Sequence, residues 1–375
     1  MTVEIKQVQS SSEMKKFIYF PWRIYKDDPF WVPPLLRFEK KLLDRKSHPF
    51  HHHAKVEYYL AYKDGLLAGR IAAIKNNEHN KFHKDKVGFW GFFEVINDQE
   101  VAQHLIGAAE NWLSAEGLTS ARGPANFSVN ETVGMLIDGF NRSPFVMMTH
   151  NPPYYPQLVE GAGYKKAIDL FAYYTSVKDI KLEVIQAAQK LFANGKVKFR
   201  PFDLKHFDIE IQMVTTIYND AWSSNWGFVP MTQDEVLHMA KELKQLVTKF
   251  PEMGIIAEAD NMPIAFVLSL PDINEIIKKT NGRLFPFGWI KFLTGLGNIK
   301  SVRTLLLGVK KANQHKGIGL VLILKTIEAA SKRGIIGGEM SWILETNRAM
   351  LNPLEKMGTK IHKTYRIYEK NFAGA

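Results

Sequence analysis

The 375-residue chain contains no cysteine. That absence excludes disulfides, thiolate metal sites and a cysteine nucleophile, and it fits a reducing compartment. The first residues, MTVEIKQVQSSSEMKK, lack the apolar core of a secretory signal. No uninterrupted apolar stretch approaches membrane-spanning length. The expectation is a cytoplasmic protein. Acid is also in short supply, with 38 Asp and Glu against 49 Lys and Arg and a formal charge of +11. Between Pro271 and Lys316 nine Lys/Arg face two acids, Asp272 and Glu275. Such a surplus suits a polyanion, whether a nucleotide cofactor, an RNA or an acidic membrane surface; a solvated basic face would read the same way. Apolar residues are plentiful at 46%, enough for a large core, and the length favours two domains.

A faint duplication supports two domains. AYKDGLLAG (Ala61 to Gly69) and AEADNMPIA (Ala257 to Ala265) are both strand–turn–strand patterns, centred on Asp64-Gly65 and Asp260-Asn261 at an offset of 196. LVEGAGYKK and LEKMGTKIH both end a short helix at a glycine, Gly163 and Gly358, offset by 195. Each half reads as strand, helix, hairpin, strand, long helix, strand, short helix and strand. The order predicts an α/β (α+β) sandwich fold. The expected division is a first domain over 1–178, a connecting helix over 179–196 and a second domain over 197–375. Two long irregular segments break the symmetry, Ala121 to Tyr155 and Pro271 to Ser301, and such segments tend to carry function.

The stretch RTLLLGVKKANQHKGIGLVLILKTIEAASKRG reads as a strand, a short basic loop and a helix opening on Gly-Ile-Gly. Free amides at a helix start carry the positive end of the dipole, and glycine lets the backbone approach an anion. Together they suit a pyrophosphate. Gln314-His315-Lys316-Gly317-Ile318-Gly319, followed by Leu320, resembles the pyrophosphate loop of the GNAT acyltransferases. NRAMLNPLEKMGT places Asn347, Glu355, Lys356 and Gly358 where that family has its next landmarks. The resemblance covers Val197 to Phe372 well and the first half in outline. The whole is similar to bacterial proteins with two tandem GNAT-like domains, each a mixed, mostly antiparallel sheet flanked by helices.

The resemblance implies that acetyl-CoA or another acyl-CoA is the co-substrate, with the backbone of Leu307, Gly308 and Val309 pairing with its pantetheine arm and Asn347 near by. It implies a small-molecule or peptide amine as acceptor and no metal. Two departures stand out. The family's thiolate-protonating tyrosine is Leu354, and its closing Phe is Thr359. The first half has Asp98 and Glu100 in place of a glycine pair, so it is expected to be degenerate and not to bind donor. Asn219, Trp222, Asn225, Trp226 and Phe228 lie in a region that lines the acceptor side in this family; packing is the plainer role for the tryptophans. GEMSWILETN puts Glu339, Ser341, Ile343 and Glu345 on alternate strand positions, and Glu345 is the candidate base. Tyr365 and Tyr368 are the candidate acids. Arg122, Asn126, Asn130 and Asn151 are candidate acceptor contacts, or else seal the two halves together. HPFHHH, His48 to His53, lacks metal-ligand spacing and reads as a solvated loop. The rival readings are a Fem-type transferase using a charged tRNA and a non-catalytic acyl-CoA or nucleic-acid binding module.

Overall fold

A computed structural model describes residues 2–193 and 195–372. The chain forms two compact units. One comprises Met1–Leu170, Ile277–Trp289 and Lys363–Ala375, and the other Phe171–Ile276 and Ile290–His362. The last strand of the chain lies in the first unit from Lys363 onward, and Phe171–Ser176 lie in the second.

In the first unit the strands are β1 (Val3–Gln7), β2 (Ala54–Lys63), β3 (Leu66–Asn76), β4 (Val87–Val95) and β5 (Ser120–Gly123), the short pair β6 (Ala125–Asn126) and β7 (Thr132–Val133), β8 (Met135–Asp138) and the start of β9 (Lys165–Ser176). The second unit contains the end of β9, then β10 (Val197–Pro201), β11 (Gly254–Ala259), β12 (Met262–Pro271), β13 (Ser301–Val309) and β14 (Gly337–Leu344). The last strand, β15 (Lys360–Asn371), passes back into the first unit.

The first sheet runs β1-β2-β3-β4-β5-β15, with β8 also on β15. Its closing contact is antiparallel, from Tyr368 opposite Gly123 to Asn371 opposite Ser120. The second runs β9-β14-β13-β12-β11-β10. In each, one hairpin turns on the residues the sequence marked. Asp64 and Gly65, and Asp260 and Asn261, all have positive φ, as a two-residue turn between twisted strands requires. Each sheet is covered by one long helix whose apolar residues recur at helical spacing. Helix Gln99–Ala115 buries Val101, Leu105, Ala109 and Leu113, and helix Ile318–Lys332 buries Ile318, Leu322, Thr326 and Ala330.

The hairpin offset of 196 relates a pair of core positions that the two units fill differently. In the first, Arg70 on β3 faces Glu94 on β4. At the matching place in the second, Phe266 on β12 faces Gly308 on β13. Phe266 is fully buried, and a Cβ at 308 would lie 2.8 Å from its ring. One unit fills the site with a ring over a glycine. The other holds an ion pair there, with a Nη2–Oε1 distance of 3.7 Å. Tyr25 and Tyr155 each donate to the second Glu94 oxygen at 2.8 Å. Burial raises the Glu94 carboxyl above its ordinary value, and Arg70 and the two phenols oppose that shift.

Candidate functional site

The site is built on β13. This strand is antiparallel to β12 throughout, but runs parallel to β14 only from Ser301 opposite Gly337 to Thr304 opposite Met340. Beyond that point β14 continues to Leu344 without pairing to β13, so the two strands part. Leu305 is an extra residue, because Leu268 faces Leu306 while Ser269 faces Thr304. Such a bulge re-aims the backbone beside the opening. Leu307, Gly308 and Val309 follow it. The carbonyl of Leu307 accepts from Trp222 Nε1 at 3.2 Å, and that of Val309 accepts from Gln314 Nε2 at 3.2 Å.

After β13 the chain makes a short turn over Lys311–Asn313, held by the Lys311 amide on Asp220 Oδ2 at 2.7 Å and by Lys311 Nζ on Ser223 Oγ at 2.8 Å. His315 and Gly317 both have positive φ, at 64° and 77°. Gly317 is the N-cap of helix Ile318–Lys332, and no side chain caps that helix start. His315 and Lys316 are exposed, and no acidic residue lies in the first turn. A helix start of this kind presents its free amides and its positive dipole end to an anion. At Gly319 a Cβ would lie 3.5 Å and 3.7 Å from Leu307 and Val309 side chains, so alanine fits there.

The equivalent helix in the first unit is closed. Asp98 caps it by accepting from the Val101 amide at 3.1 Å, and Lys63 bonds to both Asp98 and Glu100. Asn126 Oδ1 accepts from the Phe92 amide on β4 at 2.6 Å. In the first unit, groups that would be open to a donor are therefore satisfied from within.

The expected acceptor residues of the second unit lie at the end of helix Phe207–Trp222 and in the turn after it. Trp222 bonds to β13 itself. Phe228 is buried against Tyr218, with ring centroids 5.6 Å apart, so packing is its role. The Asn225 amide donates to the Trp222 carbonyl at 2.8 Å, which fixes the turn, and Trp226 follows half-buried. Asn219 Oδ1 is buried with no hydrogen-bond partner among the described residues. A buried unpaired amide oxygen is costly, and a donor group on a bound substrate would satisfy it.

Glu345 follows the last residue of β14, partly exposed. Asn347 caps the next helix by accepting from the Met350 amide at 3.3 Å. Leu354 is fully buried in a cluster with Tyr173, Ile323 and Met340, so its place offers no acid. Ile343 joins the same cluster as Met340, three residues earlier, so the expected polar alternation along β14 ends at Ser341. Sequence reasoning missed the polar group beneath it. Arg303, which is 1% exposed, donates to Ser341 Oγ at 3.0 Å, Ser341 Oγ donates to Glu339 at 2.6 Å, and His362 Nε2 lies 2.7 Å from the second Glu339 oxygen. Polar residues at alternate positions of an otherwise apolar strand were the available signal for this group. Its partners, Arg303 on β13 and His362 on β15, come from two other strands and could not be read locally.

Three expectations need correcting. Tyr365 and Tyr368 are fully buried in the first unit, and the Tyr368 hydroxyl donates to Glu160 at 3.0 Å. Burial pushes the Tyr368 hydroxyl up, so neither tyrosine is positioned as a surface acid for a departing thiolate. Arg122, Asn126, Asn130 and Asn151 bond to other groups of the first unit. Arg122 pairs with Glu369 at 3.2 Å, the Asn130 amide donates to Ser128 Oγ, and Asn151 brackets Leu136 by accepting from its amide and donating to its carbonyl. His48 to His53 are not a solvated loop. His48, Pro49 and Phe50 are buried, Phe50 stacks on Phe127 at 4.9 Å, and burial lowers His51 to about 4. No group of residues arranged to hold a metal ion occurs among the described residues.

A strand bulged and splayed from its parallel neighbour, followed by a glycine turn into an uncapped helix, is the arrangement of the GNAT fold. A tandem GNAT protein from the clavulanic acid biosynthesis pathway superposes with a TM-score of 0.58 at 9% identity, covering 99% of this chain and 98% of that one. No family model matches the chain. Protein YghO of Escherichia coli is 39% identical over 374 residues, 98% of this chain and 95% of its own. A bacterial ceramide synthase of Caulobacter vibrioides is 39% identical over 370 residues, 97% of this chain and 96% of its own. The chain therefore belongs to the family of these two proteins, and its fold is that of the tandem GNAT protein.

Proposed function

We propose that the chain transfers an acyl group from an acyl-CoA to the primary amine of a long-chain amino alcohol, making an N-acyl amide. The single observation that carries the donor site is the contrast between two matched helix starts. The one at Gly317 is uncapped and flanked by cations, and the one at Asp98 is filled by its own carboxylate. The class of acceptor is inferred from kinship with the ceramide synthase, a ceramide being the amide of a fatty acid with a long-chain amino alcohol.

The amine arrives as an ammonium and must lose a proton before it can attack. Glu345, just past the end of β14, accepts it in this reading. Nitrogen then bonds to the thioester carbon, the carbonyl oxygen takes up negative charge beside the backbone of the bulged strand, and as the oxygen's electrons return the C–S bond breaks, the thiolate departs and nitrogen gives up its second proton to water. No side-chain acid is assigned to the thiolate. A thiol with an ordinary pKa of about 8.5 leaves adequately as the anion near neutral pH.

The reaction is tested by incubating the protein with sphinganine and acyl-CoA donors of increasing chain length and following N-acyl product by mass spectrometry. Product with a long-chain donor is expected; none with any donor would overturn the reading. Glu345→Gln is expected to lower kcat/KM by roughly a hundredfold or more at pH 7 while leaving coenzyme A affinity unchanged. A parent-like pH–rate profile in that variant would remove Glu345 from the mechanism.

A further inference from the structure

The segment after β12 carries an unusual surface. Phe285, Phe287, Trp289, Ile290 and Leu293 are 84, 70, 47, 43 and 58% exposed. Five large apolar side chains within nine residues are thus left in solvent, whereas single exposed apolar residues are ordinary. Trp289, Ile290 and Leu293 fall on one side of helix Gly288–Gly295, because positions i, i+1 and i+4 span about 100° of a helix. The segment that carries them has charge of one sign. Lys278, Lys279, Arg283, Lys291 and Lys300 are all exposed, and no acidic residue occurs from Ile276 to Lys300.

The root of the segment is firmly held. In the first unit the Leu36 amide donates to the Gly282 carbonyl at 3.0 Å, and Trp22 Nε1 donates to Asn281 Oδ1 at 3.0 Å. In the second, Leu296 and Ile299 are buried, and Gly295 sits against Ile276 so closely that a Cβ would lie 2.9 Å from it. Each end of the exposed segment is thus anchored within its own unit.

We infer that this segment docks the protein on the surface of an anionic lipid bilayer. Phe and Trp side chains partition into the headgroup–acyl boundary, and flanking cations gain from anionic headgroups. A water-soluble protein partner would need a matching acidic rim around an aromatic-lined socket. A bilayer supplies both properties at once, and no helix among the described residues is long and apolar enough to cross it. The inference goes beyond the proposed reaction and does not rest on it.

Flotation of the full chain with phosphatidylcholine vesicles, with and without phosphatidylglycerol, tests the idea without reading turnover. The parent should float with the phosphatidylglycerol vesicles. The double variant F285D/F287D and the triple variant K279Q/R283Q/K291Q should each reduce the partition coefficient about tenfold or more. Unchanged melting temperatures would show that both variants are folded. Loss of flotation only in F285D/F287D, with equal binding to both vesicle types, would overturn the anionic-surface assignment. Parent protein that floats with neither vesicle would overturn docking altogether. A dimer seen by light scattering that F285D/F287D dissolves, without flotation, would show a second copy to be the occupant and would overturn it as well.

Discussion

Gly317→Glu should abolish coenzyme A binding. Two effects act together. Gly317 holds φ at 77°, in the left-handed region that a side chain resists, so any substitution strains the turn that opens the helix. The glutamate then adds a carboxylate where the helix dipole and the cations of the loop would meet a pyrophosphate. Titration calorimetry should find one coenzyme A per parent chain, and an affinity at least about a hundredfold weaker in the variant. Gly319→Ala, where a Cβ fits, should bind nearly as the parent does. Unchanged affinity in Gly317→Glu, or two coenzyme A molecules per parent chain, would refute the assignment of donor binding to the second unit alone.

Removing Arg70 should be the most destabilising single change in the first unit outside its apolar core. Arg70 is 5% exposed and Glu94 is largely buried, so Arg70→Met leaves a carboxylate in a poor solvent. Losing one member of such a pair costs about 3–5 kcal/mol. The effect should depend on pH with a definite sign. Burial raises the folded-state Glu94 carboxyl above its ordinary 4.5, and Arg70 is the largest influence holding it down. Without Arg70 the folded chain keeps a proton that the unfolded chain releases, so stability falls as pH rises above 4.5 toward the raised folded value. Urea melts of Arg70→Met should therefore lie closer to the parent at pH 5 than at pH 8. The double variant Arg70→Met, Glu94→Leu copies the apolar solution of the second unit and should recover most of the loss. Equal destabilisation at both pH values, with no recovery in the double variant, would show that the charge is not the cause.

What was legible in the sequence was local. Gly317 announced its turn because glycine most readily lets a helix begin on an open, left-handed residue. Asp64-Gly65 and Asp260-Asn261 announced their hairpins for a similar reason, and their shared spacing exposed the duplication. Tyr365 and Tyr368 were misread because the sequence of β15 does not say which sheet it joins. As part of an exposed edge strand, its tyrosines would face a cleft; inserted beside β5, they are core. Arg70 and Glu94 pair through strand register, and so do Arg303 and Glu339; no short-range pattern marks either pairing. The basic excess after Pro271 was plain from composition. Its association with an exposed aromatic tip was not, because burial depends on what the rest of the fold leaves uncovered.

The place of β15 also bears on how the protein is made. The strand that closes the first sheet, β15, comes after every other strand and helix of both units in the chain. During synthesis the edge of β5 that takes β15 therefore stays open while the second unit is translated. An open sheet edge kept for that long is a template for pairing with the wrong strand. A fragment ending near residue 178 would keep that edge permanently, so the halves are not independent modules that could be expressed or shuffled one at a time. Their order of completion is the reverse of their order of translation.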